Sequence, residues 1–131
     1  MPYKKIVVGI DGSDTSLAAL EYAARLAAVE GAEIVGVYAH GISDEAAVAQ
    51  AASEVITRAE EAVTGLDVSF TAKSSPGDPA EVLIDSIEDP ATELLVVGNK
   101  GMTGVSRFLL GSVPNKVSHH SPCDLLIVRT T

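Results

Sequence analysis

The sequence predicts a doubly wound α/β domain, a five-stranded parallel sheet with helices on both faces. Two observations predict it. Short runs rich in Val, Ile and Leu recur along the chain, and an Ala-rich or capped helical stretch separates each from the next. Strands that are apolar throughout must be covered on both faces, which is the setting of parallel sheets in α/β proteins. Right-handed crossovers then leave only a small set of strand orders. The composition agrees, because 47% of the residues are hydrophobic but only 4% are aromatic. Ala-rich helices on a Val/Ile/Leu sheet fit that balance better than an aromatic-filled barrel. At 131 residues, one domain spanning 1–131 can bury a core without disulfide staples.

The elements follow in order. KKIVVGI (4–10) reads as the first strand, and DGSDTS leads from it into a helix. Leu17, Leu20, Ala24 and Ala27 form one stripe of that helix, and Gly31 stops it. AEIVGVYA (32–39) is a second strand. Residues 44–63 form a long helix with Val48, Ala52, Val55, Ala59 and Val63 at helical spacing. DVSFTAK (67–73) alternates and predicts a less buried third strand. SSPGDPAEVLIDSIED (74–89) is a turn and a helix, with Asp78 as N-cap, Pro79 at the first helical position and Glu81 completing a capping box. TELLVVG (92–98) is the most apolar strand. GSVPNKVSHH reads as a short helix with Ser112 as N-cap and Pro114 in its first turn, and CDLLIVRTT (123–131) is the last strand.

Charge and cysteine content exclude several classes. A formal net charge of −9 argues against nucleic acid as a partner, since neutralising phosphates requires a basic surface. The single Cys123 excludes an internal disulfide framework and fits a reducing compartment. No apolar run is long enough to span a bilayer, and Lys4 and Lys5 lead directly into a strand. The expectation is a cytoplasmic protein with no membrane partner. The charge is unevenly spread, however. Residues 98–131 carry Lys100, Arg107, Lys116 and Arg129 against Asp124 alone, while 1–97 hold the other seventeen acids.

In open α/β sheets ligands bind beyond the carboxyl ends of the strands, where the strand order reverses. The segments leaving the first and fourth strands, GIDGSDTS and GNKGMTGVSRFLLGS, are rich in glycine and hydroxyl groups. Gly98, Gly101, Gly104 and Gly111 can adopt positive φ and admit a ligand to bare backbone. The N–H groups of the helix that begins near Ser112 suit phosphate. A glycine-tolerant surface loop before an ordinary helix cap accounts for the same residues. G-x-x-x-x-G-K-[ST] is absent, and no G-x-G-x-x-G follows the first strand, which disfavours a P-loop NTPase and a dinucleotide dehydrogenase.

Gly98, two residues, Gly101, nine residues, then Gly111-Ser112 resembles the G-x2-G-x9-G-[ST] signature of the universal stress protein family. KKIVVGIDGSDTSLAAL, GDPAEVLIDSIED and LLVVGNKGMTGVSRFLLGSVPNKVSHHSPCDLLIVR extend the resemblance along the chain, and residues 42–64 are the least similar part. The resemblance implies strand order 3-2-1-4-5, a Rossmann-like fold, and the ATP-binding branch of the family. Carried over by position, it implies that Gly98, Gly101, Gly111, Ser112 and Val113 hold a triphosphate, that Asp11 accepts from the ribose or adenine edge, and that Val37 contacts adenine. Mg²⁺ would be held through the phosphates. A carboxylate at Asp11 would repel phosphate, which is why it must face sugar or base. Such proteins usually form homodimers, often by pairing the last strand, and the apolar edge DLLIVRTT suits that.

Other residues carry weaker signals. Arg107 offers a planar fork for phosphate oxygens, and Lys100 offers a point charge. His119 and His120 are favourable near a helix C-terminus on dipole grounds alone. Ser13 and Ser16 read as helix-start caps, and Cys123 as a small packed residue. No hydrolytic constellation is visible. The expectation is a nucleotide-binding stress-response sensor with at most slow ATP hydrolysis. The alternatives are a module for cyclic AMP or AMP, and an ATPase or adenylyl-transfer enzyme.

Overall fold

The computed structural model describes residues 3–41, 45–99 and 112–130. Five parallel strands stand in the order β3-β2-β1-β4-β5. They are β1 (Lys5–Ile10), β2 (Glu33–His40), β3 (Ser69–Pro76), β4 (Leu94–Gly98) and β5 (Asp124–Val128). The helices are α1 (Asp14–Glu30), α2 (Glu45–Ala62), α3 (Pro79–Ser86) and α4 (Ser112–His120). Element types and fold class match the sequence reading.

Alternation along the strands divides the core in two. Ile6, Val8 and Ile10 of β1 join Ile34, Leu94 and Val96 under α1 and α2. Val7, Val37, Leu95 and Val97 point the other way and meet Ala80, Leu83 and Ile87 of α3 and Val117 of α4. The predicted stripe on α1 is buried at Leu20, Ala24 and Ala27, while Leu17 packs at its margin. On α2 the buried residues are Ala52, Val55 and Ala59, with Val63 just beyond its end.

The caps at Ser13, Gly31 and Asp78 are those the residues dictate, whereas the capping box expected at Glu81 is not closed. The Ser13 hydroxyl accepts from the Ser16 N–H to start α1, and Gly31 ends it at φ 72°. Asp78 caps α3 by accepting from the Glu81 N–H. The carboxylate of Glu81 lies 3.6 Å from Lys116 Nζ, so it is directed to α4.

Several boundaries differ from expectation, among them β4, which begins at Leu94 and not at residue 92, and β5, which ends at Val128 short of residue 131. β3 runs from Ser69 to Pro76, displaced toward its C-terminal end, because it pairs with all of β2 from Glu33↔Ser69 to His40↔Pro76. Ser74, Ser75 and Pro76 read as turn formers, but an edge strand needs ladder bonds on one side only and tolerates them. α3 ends at Ser86, short of the expected residue 89. Ser112 is the first helical residue of α4 and not its N-cap.

Candidate functional site

The carboxyl ends of β1, β2 and β4 open onto a cavity of about 100 Å³. Asp11 lies at its β1 rim, Val37 and Ala39 on the β2 wall, Gly98 at the β4 exit, and Val113 and Pro114 on the first turn of α4. The cavity is on the α3/α4 face of the sheet, because Val37 and Val97 belong to the half of the core under those helices. Its walls are mostly apolar, and among the described lining residues Asp11 is the one carboxylate.

The turn after β1 holds Asp11 by a closed set of hydrogen bonds. The Ser13 N–H donates to Asp11 Oδ1 at 2.9 Å, and the Ser13 hydroxyl donates to the same oxygen at 2.5 Å. That hydroxyl also accepts from the Ser16 N–H at 3.2 Å. With its proton given to Asp11, it can meet Thr15 Oγ1, 3.0 Å away, only as acceptor. Ser16 is buried, accepts from the Asp11 N–H, and donates to the Ser13 carbonyl. Among the described residues, every bond to the Asp11 carboxylate falls on Oδ1. Its second oxygen can therefore serve a ligand hydroxyl or amine.

The other rim is the β4 exit and α4. Gly98 ends β4, and the buried Asn99 follows it. The Asn99 N–H donates to the Val128 carbonyl, and its side-chain oxygen accepts from both the N–H and the hydroxyl of Thr130. The end of β5 thus anchors the point where the glycine-rich segment departs. At the far side, α4 presents its first turn with Ser112 exposed, Val113 half-buried and no acid. A helix N-terminus without acids is electrostatically suited to an anion.

Of the residues singled out from sequence, the structure brings Asp11, Val37, Gly98 and Val113 to one cavity. Ser112 adjoins it at the start of α4. Gly101, Arg107 and Gly111, with Lys100 and Gly104, lie outside the described residues. Ser13 and Ser16 are consumed by the Asp11 turn, as caps should be. His119 and His120 are exposed on the last turn of α4.

The sequence reading gave α3 no part in the site. Pro79 and Leu83 form one wall, and the missing Cβ of Gly9 makes room for Leu83, whose Cδ1 would lie 2.9 Å from it. The available signal was Pro79-x-x-x-Leu83, which places both residues on one helical face after a right-handed crossover.

A doubly wound sheet with a cavity at its reversal point, a fixed carboxylate and an acid-free helix start defines a class of small Rossmann-like α/β domains. The chain belongs to the universal stress protein family, whose model matches residues 2–129. Universal stress protein Rv1636 of Mycobacterium tuberculosis strain H37Rv is 33% identical to it, with 98% of each chain covered. A universal stress protein crystallised in complex with cAMP is 32% identical, covers 100% of both chains and superposes with a TM-score of 0.78. UspA of Lactobacillus plantarum, 24% identical, covers 98% of this chain and 99% of its own with a TM-score of 0.88, which supports the fold.

Proposed function

We propose that the protein binds an adenine nucleotide, ATP with Mg²⁺ in the first instance, and works as a stress-response sensor or regulatory module. The observation that carries this reading is the convergence of Asp11, Val37, Gly98 and Val113 on one cavity. Asp11 takes the ribose hydroxyls, Val37 lies against adenine, and the N-terminal turn of α4 with Ser112 and Val113 faces the phosphates. Gly98, Gly101 and Gly111 complete the cradle through backbone N–H groups, with Arg107 as a further phosphate contact. Among the described residues no group of three or more His, Cys, Asp or Glu side chains could hold a metal. In this reading the phosphate oxygens hold the cation, and it offsets their charge. Hydrolysis, in the same reading, is at most slow.

A second reading, cyclic AMP or AMP in the same cavity, is favoured by the cAMP complex of the 32% identical relative. The test is acid extraction of the purified protein with mass spectrometry, then calorimetric titration with ATP, AMP and cyclic AMP. ATP binding strengthened by Mg²⁺ supports the first reading, and preference for cyclic AMP supports the second. Absence of binding by all three overturns both. Gly101→Val and Gly111→Val are expected to weaken binding by placing a Cβ between backbone and phosphate. A turnover assay separates module from enzyme, since multiple turnovers per minute abolished by Asp11→Ala would make it an ATPase.

The reading includes a cytoplasmic homodimer. Among the described residues β5 is paired on one side only, by β4, and its Leu125–Val128 run is half-buried. Pairing of two β5 edges would satisfy the open ladder. Light scattering on the wild type and on Leu126→Lys tests it, with a monomer expected for the variant.

A further inference from the structure

Arg58 lies on α2, across the sheet from the cavity, yet its guanidinium reaches the turn that holds Asp11. Nη1 donates to the Gly12 carbonyl, and Nη2 lies 3.3 Å from Asp14 Oδ1. Val55, one turn earlier on the same face of α2, occupies the space beside the same residue. A Cβ on Gly12 would be 3.1 Å from Val55 Cγ2, and Gly12 sits at φ 83°, a conformation that needs glycine. α2 therefore holds Gly12 by a charged hydrogen bond, and Val55 leaves no room there for a side chain.

The Gly12 carbonyl and the Ser13 N–H belong to one peptide unit. In a trans peptide these groups point in opposite directions within one plane. Arg58 draws on the carbonyl end, and the N–H end donates to Asp11 Oδ1 at 2.9 Å. Fixing the oxygen fixes the plane and hence the direction of the N–H. A cation on the carbonyl also polarises the peptide and strengthens that N–H as a donor.

We propose that Arg58 is a positioning residue for the nucleotide sugar, acting through the Gly12–Ser13 peptide on the Asp11 carboxylate. This rests on the nucleotide reading and deepens it. α2 becomes the element that sets the aim of the ribose-binding group, although it contributes nothing to the cavity wall itself. Arg58 also pairs with Asp14, which offsets one negative charge in a turn that must lie near an anionic ligand.

The test compares ATP with 2′,3′-dideoxy-ATP in the wild type, Arg58→Met and Arg58→Lys, by calorimetric titration. The wild type is expected to favour ATP. Arg58→Met is expected to weaken ATP roughly tenfold, about what one charge-assisted hydrogen bond is worth, and the dideoxy nucleotide less than about twofold. Arg58→Lys, which can reach the carbonyl without the fork, is expected to fall between. Equal losses for both nucleotides, or no loss for either, overturn the inference and leave the nucleotide reading standing. A wild type that does not distinguish the two nucleotides also overturns it, because Asp11 then does not face the sugar. A wild type that binds neither removes the nucleotide reading and the inference together.

Discussion

Ser13 spends both its main-chain N–H and its hydroxyl on one oxygen of Asp11, at 2.9 and 2.5 Å. The same hydroxyl accepts from the Ser16 N–H and so starts α1. One side chain thus caps a helix and aims a carboxylate, and the two duties can be separated experimentally. Ser13→Ala is expected to cost about 1 kcal/mol of stability in urea denaturation, the usual worth of an N-cap. Ser13→Thr keeps the hydroxyl and is expected to recover most of it. Unchanged stability in Ser13→Ala would mean the cap contributes nothing.

Asp11→Asn tests the carboxylate itself. Asparagine keeps an acceptor for the Ser13 N–H, so the turn and the fold are expected to survive. Exchanging a charged acceptor for a neutral one toward the ribose should weaken ATP by roughly tenfold, from the difference between charged and neutral hydrogen bonds. Titration calorimetry reads the affinity, and an unchanged value would remove Asp11 from the ligand contact.

Gly9 and Leu83 set the cavity's width. A Cβ on Gly9 would lie 2.9 Å from Leu83 Cδ1 and 3.5 Å from Val97 Cγ1. Gly9→Val is expected to push the buried Leu83 toward the cavity, weakening nucleotide binding and costing about 1–3 kcal/mol of stability through overpacking. Adding Leu83→Ala should restore part of the affinity, because it removes the displaced methyl groups. A double variant no better than Gly9→Val would show that the lost space is not at Leu83.

Gly12 is constrained twice, by φ 83° and by Val55 Cγ2 at 3.1 Å from its missing Cβ. Gly12→Ala is expected to destabilise the protein by about 1–2 kcal/mol on conformational grounds alone. Combining it with Val55→Ala relieves the contact but not the backbone strain. The two substitutions should therefore be less than additive while Gly12→Ala still costs stability in the Val55→Ala background. Thermal and urea denaturation of the four proteins form the cycle.

At the opposite end of the sheet, the Tyr3 hydroxyl donates to Asp124 Oδ2 at 2.7 Å. That bond raises the Tyr3 phenol above its ordinary range, with burial and the Asp124 charge adding to it. A raised pKa in the folded state means that the folded protein holds the proton longer than the unfolded chain. The bond's stabilisation is then fully present below about pH 10 and is lost as pH rises through the raised value. Melting temperature is expected to fall more steeply above pH 10 in the wild type than in Tyr3→Phe. Parallel curves would show that the bond does not form in solution.

Much of this molecule was legible locally. The alternation of apolar runs with Ala-rich periods yields the strands and helices in order, because each period follows from local geometry. The Asp78 cap and the Gly31 stop are local too, being side chains and backbone within one helical turn. The family signature and the strand-end rule together drew attention to Asp11, Val37, Gly98 and Val113, which the fold brings to one cavity.

The sequence by itself determined which segments are strands, which faces they bury and which loops leave their carboxyl ends. Only the tertiary structure decided what meets across distance. β3 takes its length from its partner β2, since ladder bonds outweigh the turn preference of Ser74–Pro76. α3 becomes a cavity wall because Gly9, some seventy residues before Leu83, has no side chain to keep it out. The grip of Arg58 on the Gly12 carbonyl spans 46 residues and leaves no trace in local period or spacing. Periodicity reports how a segment buries itself, whereas contacts between segments depend on packing that no single segment contains.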